Sequence, residues 1–394
     1  MECSTSLPTF FMKISLRFLP LLSIFAFCGL SIPKAEAMLL IGNSASNNIV
    51  LFDEITGSFL GNFTTPGNGG LIDPDDLTFG PNGVLYVSVG GNSGLNLLDP
   101  TYPQNSAVLR FSRSGEFLGV AASGNGLTRP YGTAIGPDGY LYVASFRTNQ
   151  ILRFNPQTGA FIDVFASDNN GGLGSPNGLN GPNGLLFGPD GSLYVTTEGT
   201  ANDVNGNLVF SYPSQVLRYT PQQVAGTIPS TTPTVFANQP TPLPDTFGFV
   251  SLLGLALAPD GQSIYVSDFA GGVRQYSLTG TLLNTISTNY TGTNPSNNFI
   301  GGLTFGTGAT SSNLYTIGFN FTNNNIGSVL QLTNAQGSAT TYTGTTYTSS
   351  SLVRPIGVTA APVPEPSTVA GLLLATGGLG MSRLRKRRSE GVRG

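Results

Sequence analysis

Three polar residues, Asp75, Tyr131 and Asn183, stand at equivalent positions in three copies of an internal repeat. Carboxylate and amide oxygens are ligands of Ca²⁺, which usually takes about 6–8 of them. The remaining three positions offer no side-chain oxygen, because they hold Leu253, Gly301 and Ile356. We therefore predict the three polar residues as candidates that line a central channel. We expect no catalytic residue and no metal there, and we keep bound Ca²⁺ as the alternative.

A local explanation of the same residues stays open. Asn183 could cap a glycine-rich turn, and Asp75 belongs to a polar loop at 73–76. Two further strings, 168–172 and 203–207, begin like calcium loops but lack the carboxylates and the turn glycine of such a loop. We predict both strings as turns.

The composition excludes several chemistries. The chain of 394 residues contains no His, no Trp and two Cys, and 9% of its residues are charged. Without His there is no Ser-His-Asp or Cys-His machinery and no His-ligated metal. Two cysteines also exclude a disulfide framework or an iron–sulfur cluster. Low charge together with 53 glycines is typical of an extracytoplasmic β protein.

One nine-residue phrase recurs through the middle of the chain. It reads Phe-Gly-Pro-Asn-Gly-Val-Leu-Tyr-Val at 79–87 and returns at 135–143, 187–195, 257–266 and, degraded, 305–315. Proline fixes φ at the entry of a turn, Asp or Asn readily adopts the backbone conformation of the next turn position, and glycine supplies a positive φ. Leu-Tyr-Val then favours a strand. The phrase predicts a tight hairpin in each copy.

A second phrase, such as Val-Leu-Arg-Phe at 108–111, follows each first one, and a turn and a further strand come after it. Four short antiparallel strands per copy are typical of a propeller blade. The segment 354–358 matches the start of an internal repeat at 129–133, so we expect it to complete the first blade. The sequence predicts an all-β, six-bladed propeller over 38–362. An irregular sandwich, a solenoid or a seventh blade are the alternatives.

Two long insertions interrupt the repeats of the predicted fourth blade. They cover 199–207 and 221–244, and the second is rich in Pro, Gln and Thr. We predict both as surface loops.

The first 37 residues have the composition of a secretory signal peptide. Two basic residues precede an apolar run at 18–32, and Ala35 and Ala37 form a small-residue cleavage site, so the mature chain should begin at Met38. Cleavage would remove Cys3 and Cys28. A retained membrane anchor and a lipoprotein at Cys28 are the alternatives.

The segment 363–394 has three parts. Pro364, Glu365 and Pro366 precede an uncharged run of 16 residues at 367–382, and a basic cluster follows at 383–388. This order resembles the PEP-CTERM sorting signal of exopolysaccharide-producing Gram-negative bacteria. The resemblance implies processing by an exosortase-type membrane protease. It also implies a transient inner-membrane tether through a short apolar helix, with the propeller on the periplasmic side. An ordinary C-terminal anchor is the alternative.

The charge of the body limits its partners. Residues 38–362 include eight basic residues, all Arg, and sixteen acidic ones, which gives a net charge of −8. An acidic body without a basic patch argues against nucleic acid and anionic membrane surfaces as partners.

The run from Pro182 to Val195 resembles the NHL-type propellers and the senescence-marker-protein/gluconolactonase family. Lactonases of that family hold a divalent cation with oxygens from several inner strands. The resemblance implies that Asn183 is one ligand and Asp75 another, whereas Leu253 stands where an acidic ligand would be expected. Streptogramin-lyase-like propellers depend on a His general base, which this chain lacks.

These features predict an exported propeller at the cell surface or in the extracellular matrix. We expect a non-catalytic binding or structural module whose partners are exopolysaccharide or surface proteins. The alternative is a divalent-metal-dependent, lactonase-like hydrolase with its site in the channel.

Overall fold

A computed structural model describes residues 37–80, 83–90, 106–167, 173–230, 232–333 and 345–361. Residues 1–36 of the predicted signal peptide lie outside these ranges, as do the string 168–172 and the sorting tail with Pro364, Glu365, Pro366 and its apolar helix. Within the described ranges, no helix combines the length and the apolar character needed to cross a membrane.

The described residues form six four-stranded antiparallel blades, which confirms the predicted all-β, six-bladed propeller. Blade 1 contains β1 (Met38–Asn43), β2 (Asn48–Asp53) and β3 (Phe59–Asn62). Blade 2 contains β4 (Leu77–Phe79), β5 (Leu85–Val89), β6 (Ala107–Phe111) and β7 (Phe117–Ser123). Blade 3 contains β8 (Pro130–Ile135), β9 (Leu141–Ser145), β10 (Gln150–Phe154) and β11 (Phe161–Ser167).

Blade 4 contains β12 (Pro182–Phe187), β13 (Leu193–Thr197), β16 (Val216–Tyr219) and β17 (Thr234–Ala237), with an added hairpin of β14 (Thr200–Asn202) and β15 (Leu208–Phe210). Blade 5 contains β18 (Leu252–Leu257), β19 (Ser263–Asp268), β20 (Val273–Ser277) and β21 (Leu282–Ile286). Blade 6 contains β22 (Asn298–Phe305), β23 (Leu314–Asn320), β24 (Ile326–Leu332) and β25 (Thr345–Val353). The last strand, β26 (Pro355–Ala360), is the inner strand of blade 1.

The two repeated phrases form the two middle strands of every blade. The same cross-strand pairing recurs six times: Leu39 with Phe52, Leu85 with Phe111, Leu141 with Phe154, Leu193 with Tyr219, Ile264 with Tyr276 and Leu314 with Leu332. A constant register follows because a slip of one residue would turn every apolar side chain to the opposite face of its sheet.

The ring closes through blade 1. β26 pairs antiparallel with β1, so that Leu40 lies opposite Thr359 and Ile41 opposite Val358. This arrangement confirms the predicted closing strand. Because β26 covers the inner edge of β1, this edge is not open to the addition of a strand from another chain.

The hydrophobic core consists of six clusters, each between two neighbouring blades. The tyrosine of the first phrase fills this space. Tyr142 packs edge-on against Phe187 with the ring centroids 5.1 Å apart, and Tyr265 meets Phe305 at 5.4 Å in the same geometry. Each such pair contributes about 0.5–1.5 kcal/mol beyond the burial of its area.

A collar of glycines surrounds the channel where the inner strands approach one another most closely. A Cβ on Gly132 would overlap the carbonyl oxygen of Asn183, and one on Gly184 would overlap that of Leu253. Gly357 meets the backbone of Asp75 in the same way. These glycines are required by close backbone approach.

The prediction that 199–207 and 221–244 are loops is wrong in part. The first insertion belongs to the β14–β15 hairpin, and the second contains β17 and a helix, α1 (Pro221–Val224). Thr220 and Gln223 form a capping box at the start of α1, with Pro221 at its first position. Capping box and proline together mark a helix start. The calcium-like string at 203–207 is a turn, in which Asp203 Oδ1 accepts from the backbone N–H of Asn205 and of Asn207.

Candidate functional site

A cavity of about 180 Å³, here called the polar cavity, lies at the end of the channel where the inner strands begin. Its lining comes from the starts of inner strands, from residues that follow second strands, and from the β14–β15 hairpin. The lining residues are Asp73, Asp75, Arg129, Tyr131, Phe146, Asn183, Glu198, Leu208, Phe210, Leu253, Phe269, Arg354 and Ile356.

The structure brings the three predicted residues, Asp75, Tyr131 and Asn183, into this one cavity. Leu253 and Ile356 line it as well, as their positions in the repeat imply. Gly301 is not among the lining residues. It lies at the collar, where a Cβ would overlap the carbonyl oxygen of Ile356.

Sequence reasoning missed four charged residues of the cavity. Asp73, Arg129 and Arg354 each stand directly before a proline and have a positive φ of 45°, 51° and 50° respectively; Pro130 and Pro355 start their inner strands, whereas Pro74 lies three residues before β4. The Arg-Pro pair occurs in two repeats of the sequence, where it indicates only the register of the inner strand. Glu198 follows β13 and has no counterpart in the repeated phrases, so no pattern singled it out.

Arg129 and Tyr131 contact each other directly at the wall of the site. Arg129 is 4% exposed, and its Nε donates a hydrogen bond of 2.7 Å to Tyr131 Oη. Its guanidinium carbon lies 4.9 Å from the centroid of the Tyr131 ring. Burial raises the pKa of Tyr131, although Arg129 opposes this shift, so the phenol stays protonated at every physiological pH. Tyr131 is therefore a hydrogen-bonding group and not a base.

Glu198 is held by two neighbours. Asn183 Nδ2 donates to Glu198 Oε1 over 2.7 Å, and Ser251 Oγ donates to Oε2 over 3.2 Å. Burial raises the pKa of Glu198, and these hydrogen bonds together with the charge of Arg129 counteract part of the shift. Because the amide nitrogen of Asn183 is used in this bond, its Oδ1 is left to accept from a ligand.

Asp75 differs from Glu198 because no described residue donates a hydrogen bond to its carboxylate. Its backbone N–H donates to Ser88 O over 3.1 Å. Burial raises the pKa of Asp75 well above its usual range; Arg129 lowers it, and the nearby carboxylates of Asp73, Asp76 and Glu198 raise it further. We call Asp75 and Glu198 the carboxyl pair of the site. A ligand that donates a hydrogen bond to Asp75 would meet an acceptor that no described residue occupies.

A second cavity of about 500 Å³ occupies the channel on the other side of the collar. Its lining combines apolar side chains such as Leu77, Leu186 and Leu303 with polar ones such as Thr78 and Thr304. Asp76 also faces it, and its Oδ2 accepts hydrogen bonds from Thr133 and Thr78. The polar cavity differs in its charged lining, which consists of Asp73, Asp75, Arg129, Glu198 and Arg354.

The polar cavity does not fit a divalent cation well. Asp75 supplies two carboxylate oxygens and Asn183 supplies its Oδ1, which is half or less of what Ca²⁺ takes, while both oxygens of Glu198 already accept hydrogen bonds. The buried guanidinium of Arg129 lies on the same cavity and would repel a cation. Among the described residues, no three carboxylates or thiols come together in a group able to hold a metal ion.

Comparisons with known proteins support the fold. No family model matches the chain, and no curated protein matches it. One chain of a nidogen/laminin complex superposes with a TM-score of 0.53 at 15% identity, covering 82% of this chain and 98% of that one. This likeness shows the propeller fold alone.

Two bacterial structures superpose less closely. Virginiamycin B lyase from Staphylococcus aureus has a TM-score of 0.46 at 15% identity and covers 82% of this chain and 88% of its own. A proposed 6-phosphogluconolactonase from Bacteroides fragilis has a TM-score of 0.47 at 16% identity and covers 83% and 98%.

Proposed function

We propose that this chain is an exported, non-catalytic propeller of the cell envelope or exopolysaccharide matrix, and that its polar cavity binds a hydroxyl-rich sugar unit. The observation that carries the proposal is the convergence of Asp75, Tyr131, Asn183, Glu198 and Arg129 on one cavity. Fixed carboxylate, amide and guanidinium groups are the donors and acceptors that vicinal hydroxyls require.

The size of the cavity limits the ligand. About 180 Å³ is below the range of about 300–1,000 Å³ found for sites that bury a drug-sized ligand. The cavity therefore suits one sugar ring or the end of a chain. Phe146 and Phe269 on its wall supply apolar surface beside the polar groups, as a ring with C–H faces and hydroxyl edges needs.

The hydrogen bonds support binding without turnover. Glu198 is held by Asn183 and Ser251, and the Tyr131 hydroxyl is held by Arg129. General acid–base catalysis needs a group that can exchange a proton with the ligand in the reaction. Within the described part of the chain, no hydrogen bond holds the Asp75 carboxylate, but an acid–base pair needs a second group of this kind.

Export and sorting form the second part of the proposal. It rests on the signal-like segment 1–37, on the motif at Pro364, Glu365 and Pro366, and on the basic cluster that follows. We expect an exosortase-type protease to process the tail after a transient stay in the inner membrane, with the propeller on the periplasmic side. Fractionation of the producing cells should find the protein at the surface or in the medium, and Glu365→Ala should retain it in the membrane fraction. Equal distribution of both forms would contradict the sorting role.

Binding can be tested on the protein recovered from those cells. Calorimetric titration with size-fractionated exopolysaccharide of the same organism should show binding that Asp75→Ala and Asn183→Ala weaken at least about tenfold, the worth of one good hydrogen bond. Thr304→Val alters the second cavity at nearly constant volume and serves as the matched control. No binding to any fraction, or an equal loss in the control, would reject the proposal.

The hydrolase alternative is favoured by one observation, which is that Asp75 and Asn183 line the same cavity. It requires a thermal shift with Ca²⁺ that both alanine variants abolish, and turnover of lactone substrates. We expect neither result, because Arg129 occupies the same cavity and would repel the cation.

A further inference from the structure

Six phenylalanines form a continuous cluster at the cavity end of blades 5 and 6. Phe269, Phe299 and Phe321 are stacked in sequence, with centroid distances of 4.4 and 4.7 Å. Phe247 contacts Phe321 at 5.8 Å, and Phe249 contacts Phe299 at 6.2 Å. The sixth member, Phe319, lies buried beneath them. We call this cluster the phenylalanine row.

An extension of blade 6 carries half of the row. β22 has eight residues and β23 seven, whereas β12 and β13 of blade 4 have six and five. The additional pairs join Asn298 with Asn320 and Phe299 with Phe319. The longer strands therefore hold aromatic rings beyond the point where other blades end. Direct cross-strand pairs of this kind fix ring positions.

Two members of the row are exposed, whereas most phenylalanines of a folded domain would be buried. Phe247 is 51% exposed and Phe249 39%, and both lie in the loop that leads into β18. Contiguous exposed apolar surface on a water-soluble fold marks a site of interaction. Phe269 lines the polar cavity and also stacks on Phe299, so the row and the cavity are one continuous surface.

An occupant of this whole surface needs polar groups at one end and a flat apolar face along the rest. A neutral sugar chain meets both needs, since each ring has hydroxyl edges and a C–H face. A hydrocarbon chain would give no hydrogen bond to the Asp75 carboxylate or to the Asn183 Oδ1, to which no described residue donates, and this costs free energy in a small cavity. The acidic body disfavours an anionic chain.

We propose that the polar cavity and the phenylalanine row together bind the end of a neutral polysaccharide chain, with the terminal ring in the cavity and the next rings on Phe247 and Phe249. This proposal rests on the proposed sugar binding and adds its mode: the protein recognises chain ends and gains affinity from the following units.

The test compares ligand lengths on the full protein. The probes are the monosaccharides and the di-, tri- and tetrasaccharides released by partial acid hydrolysis of the producing organism's exopolysaccharide, titrated calorimetrically. Wild type should bind the trisaccharide at least tenfold more tightly than the monosaccharide, the gain that two aromatic contacts provide. Phe247→Ala/Phe249→Ala should abolish this gain and leave monosaccharide affinity unchanged.

The control is Leu282→Ala/Leu283→Ala on β21 of the same blade, which removes apolar side chains of similar exposure, 48% and 55%, away from the row. It should retain the length dependence. Monosaccharide binding without any gain on lengthening would overturn the chain-end mode and leave the proposed function standing. Failure of every probe to bind would reject both. A shift from dimer to monomer in sedimentation of the Phe247/Phe249 variant would assign the row to self-association instead.

Discussion

Two adjacent carboxylates on opposite sides of the glycine collar should respond in opposite ways to the same substitution. Asp76→Ala should destabilise the fold, whereas Asp75→Ala should leave the free energy of unfolding unchanged or raise it. Asp76 Oδ2 accepts from Thr133 N over 2.8 Å, from Thr133 Oγ1 over 2.7 Å and from Thr78 Oγ1 over 3.1 Å. No described residue donates to the Asp75 carboxylate, and burial disfavours its ionised form.

The size of the loss follows from these three bonds. Thr78 Oγ1 keeps an acceptor after the substitution, because Thr133 O lies 2.9 Å away. The two bonds from Thr133 are lost, and a hydrogen bond to a charged group contributes about 1.5–3 kcal/mol. Water in the second cavity can replace part of this, so we expect Asp76→Ala to cost about 2–4 kcal/mol. For a domain of this size that corresponds to a fall in Tm of about 3–6 °C.

Urea unfolding followed by far-UV circular dichroism, together with calorimetric Tm values, would measure both variants at pH 7. Asp76→Asn separates geometry from charge, because an amide oxygen can still accept from Thr133 N and should recover about half of the loss. Sugar titration completes the comparison: Asp75→Ala should lose binding at full stability. Equal destabilisation by the two alanine variants would refute the assignment of a structural role to Asp76 and a binding role to Asp75.

Three further predictions concern the collar, the closing strand and pH. In Gly184→Ala the new Cβ would overlap the carbonyl oxygen of Leu253, so the inner strands must separate; we expect a loss of about 1–3 kcal/mol and weaker sugar binding, measured by urea unfolding and titration. Val358→Asp buries a charge on β26 and should prevent a cooperative thermal transition. Thr359 lines the second cavity, so Thr359→Asp should fold. Two similar melting curves would contradict the role of β26 in closure. Burial raises the pKa values of the carboxyl pair, so between pH 7 and pH 5 the folded state binds protons that the unfolded chain has released. The unfolding free energy should therefore rise from pH 7 towards pH 5 and level off near the unfolded pKa values of about 4. A steady fall of the unfolding free energy over that range in urea titrations would be inconsistent with these shifts.

The fold could be predicted from the sequence because the same local sequence pattern recurs from blade to blade. Turn residues, strand formers and the constant spacing of the two phrases identify the middle strands, and the match between 129–133 and 354–358 identifies the closing strand. None of this depends on contacts between distant residues. The capping box of the helix α1 is present in the sequence, but the richness of that segment in Pro, Gln and Thr favours a loop.

The candidate site was predictable only as far as it follows the repeat. Asp75, Tyr131 and Asn183 share one register position, so their convergence could be expected. Glu198 reaches the cavity from a loop without a repeated counterpart, and only the fold reveals that Asn183 donates to it. The phenylalanine row could not be predicted either, because its members come from loops and strand ends of two blades and are spread over about 70 residues of the chain.

Blade 2 shows how the collar and the site depend on each other. The collar position that holds Gly132 in blade 3 is Asp76 in blade 2, and the inner strand there, β4, has only three residues. The ladder hydrogen bonds of β4 go to β5 within blade 2, whereas the Asp76 carboxylate connects blade 2 to blade 3 through Thr133. Because Asp75 directly precedes Asp76 and Tyr131 lies two residues before Thr133, we expect this connection to set their separation in the polar cavity. Loosening it should therefore weaken sugar binding even when Asp75 itself is unchanged, and Asp76→Asn titrated beside wild type at a temperature where both are folded would measure this effect.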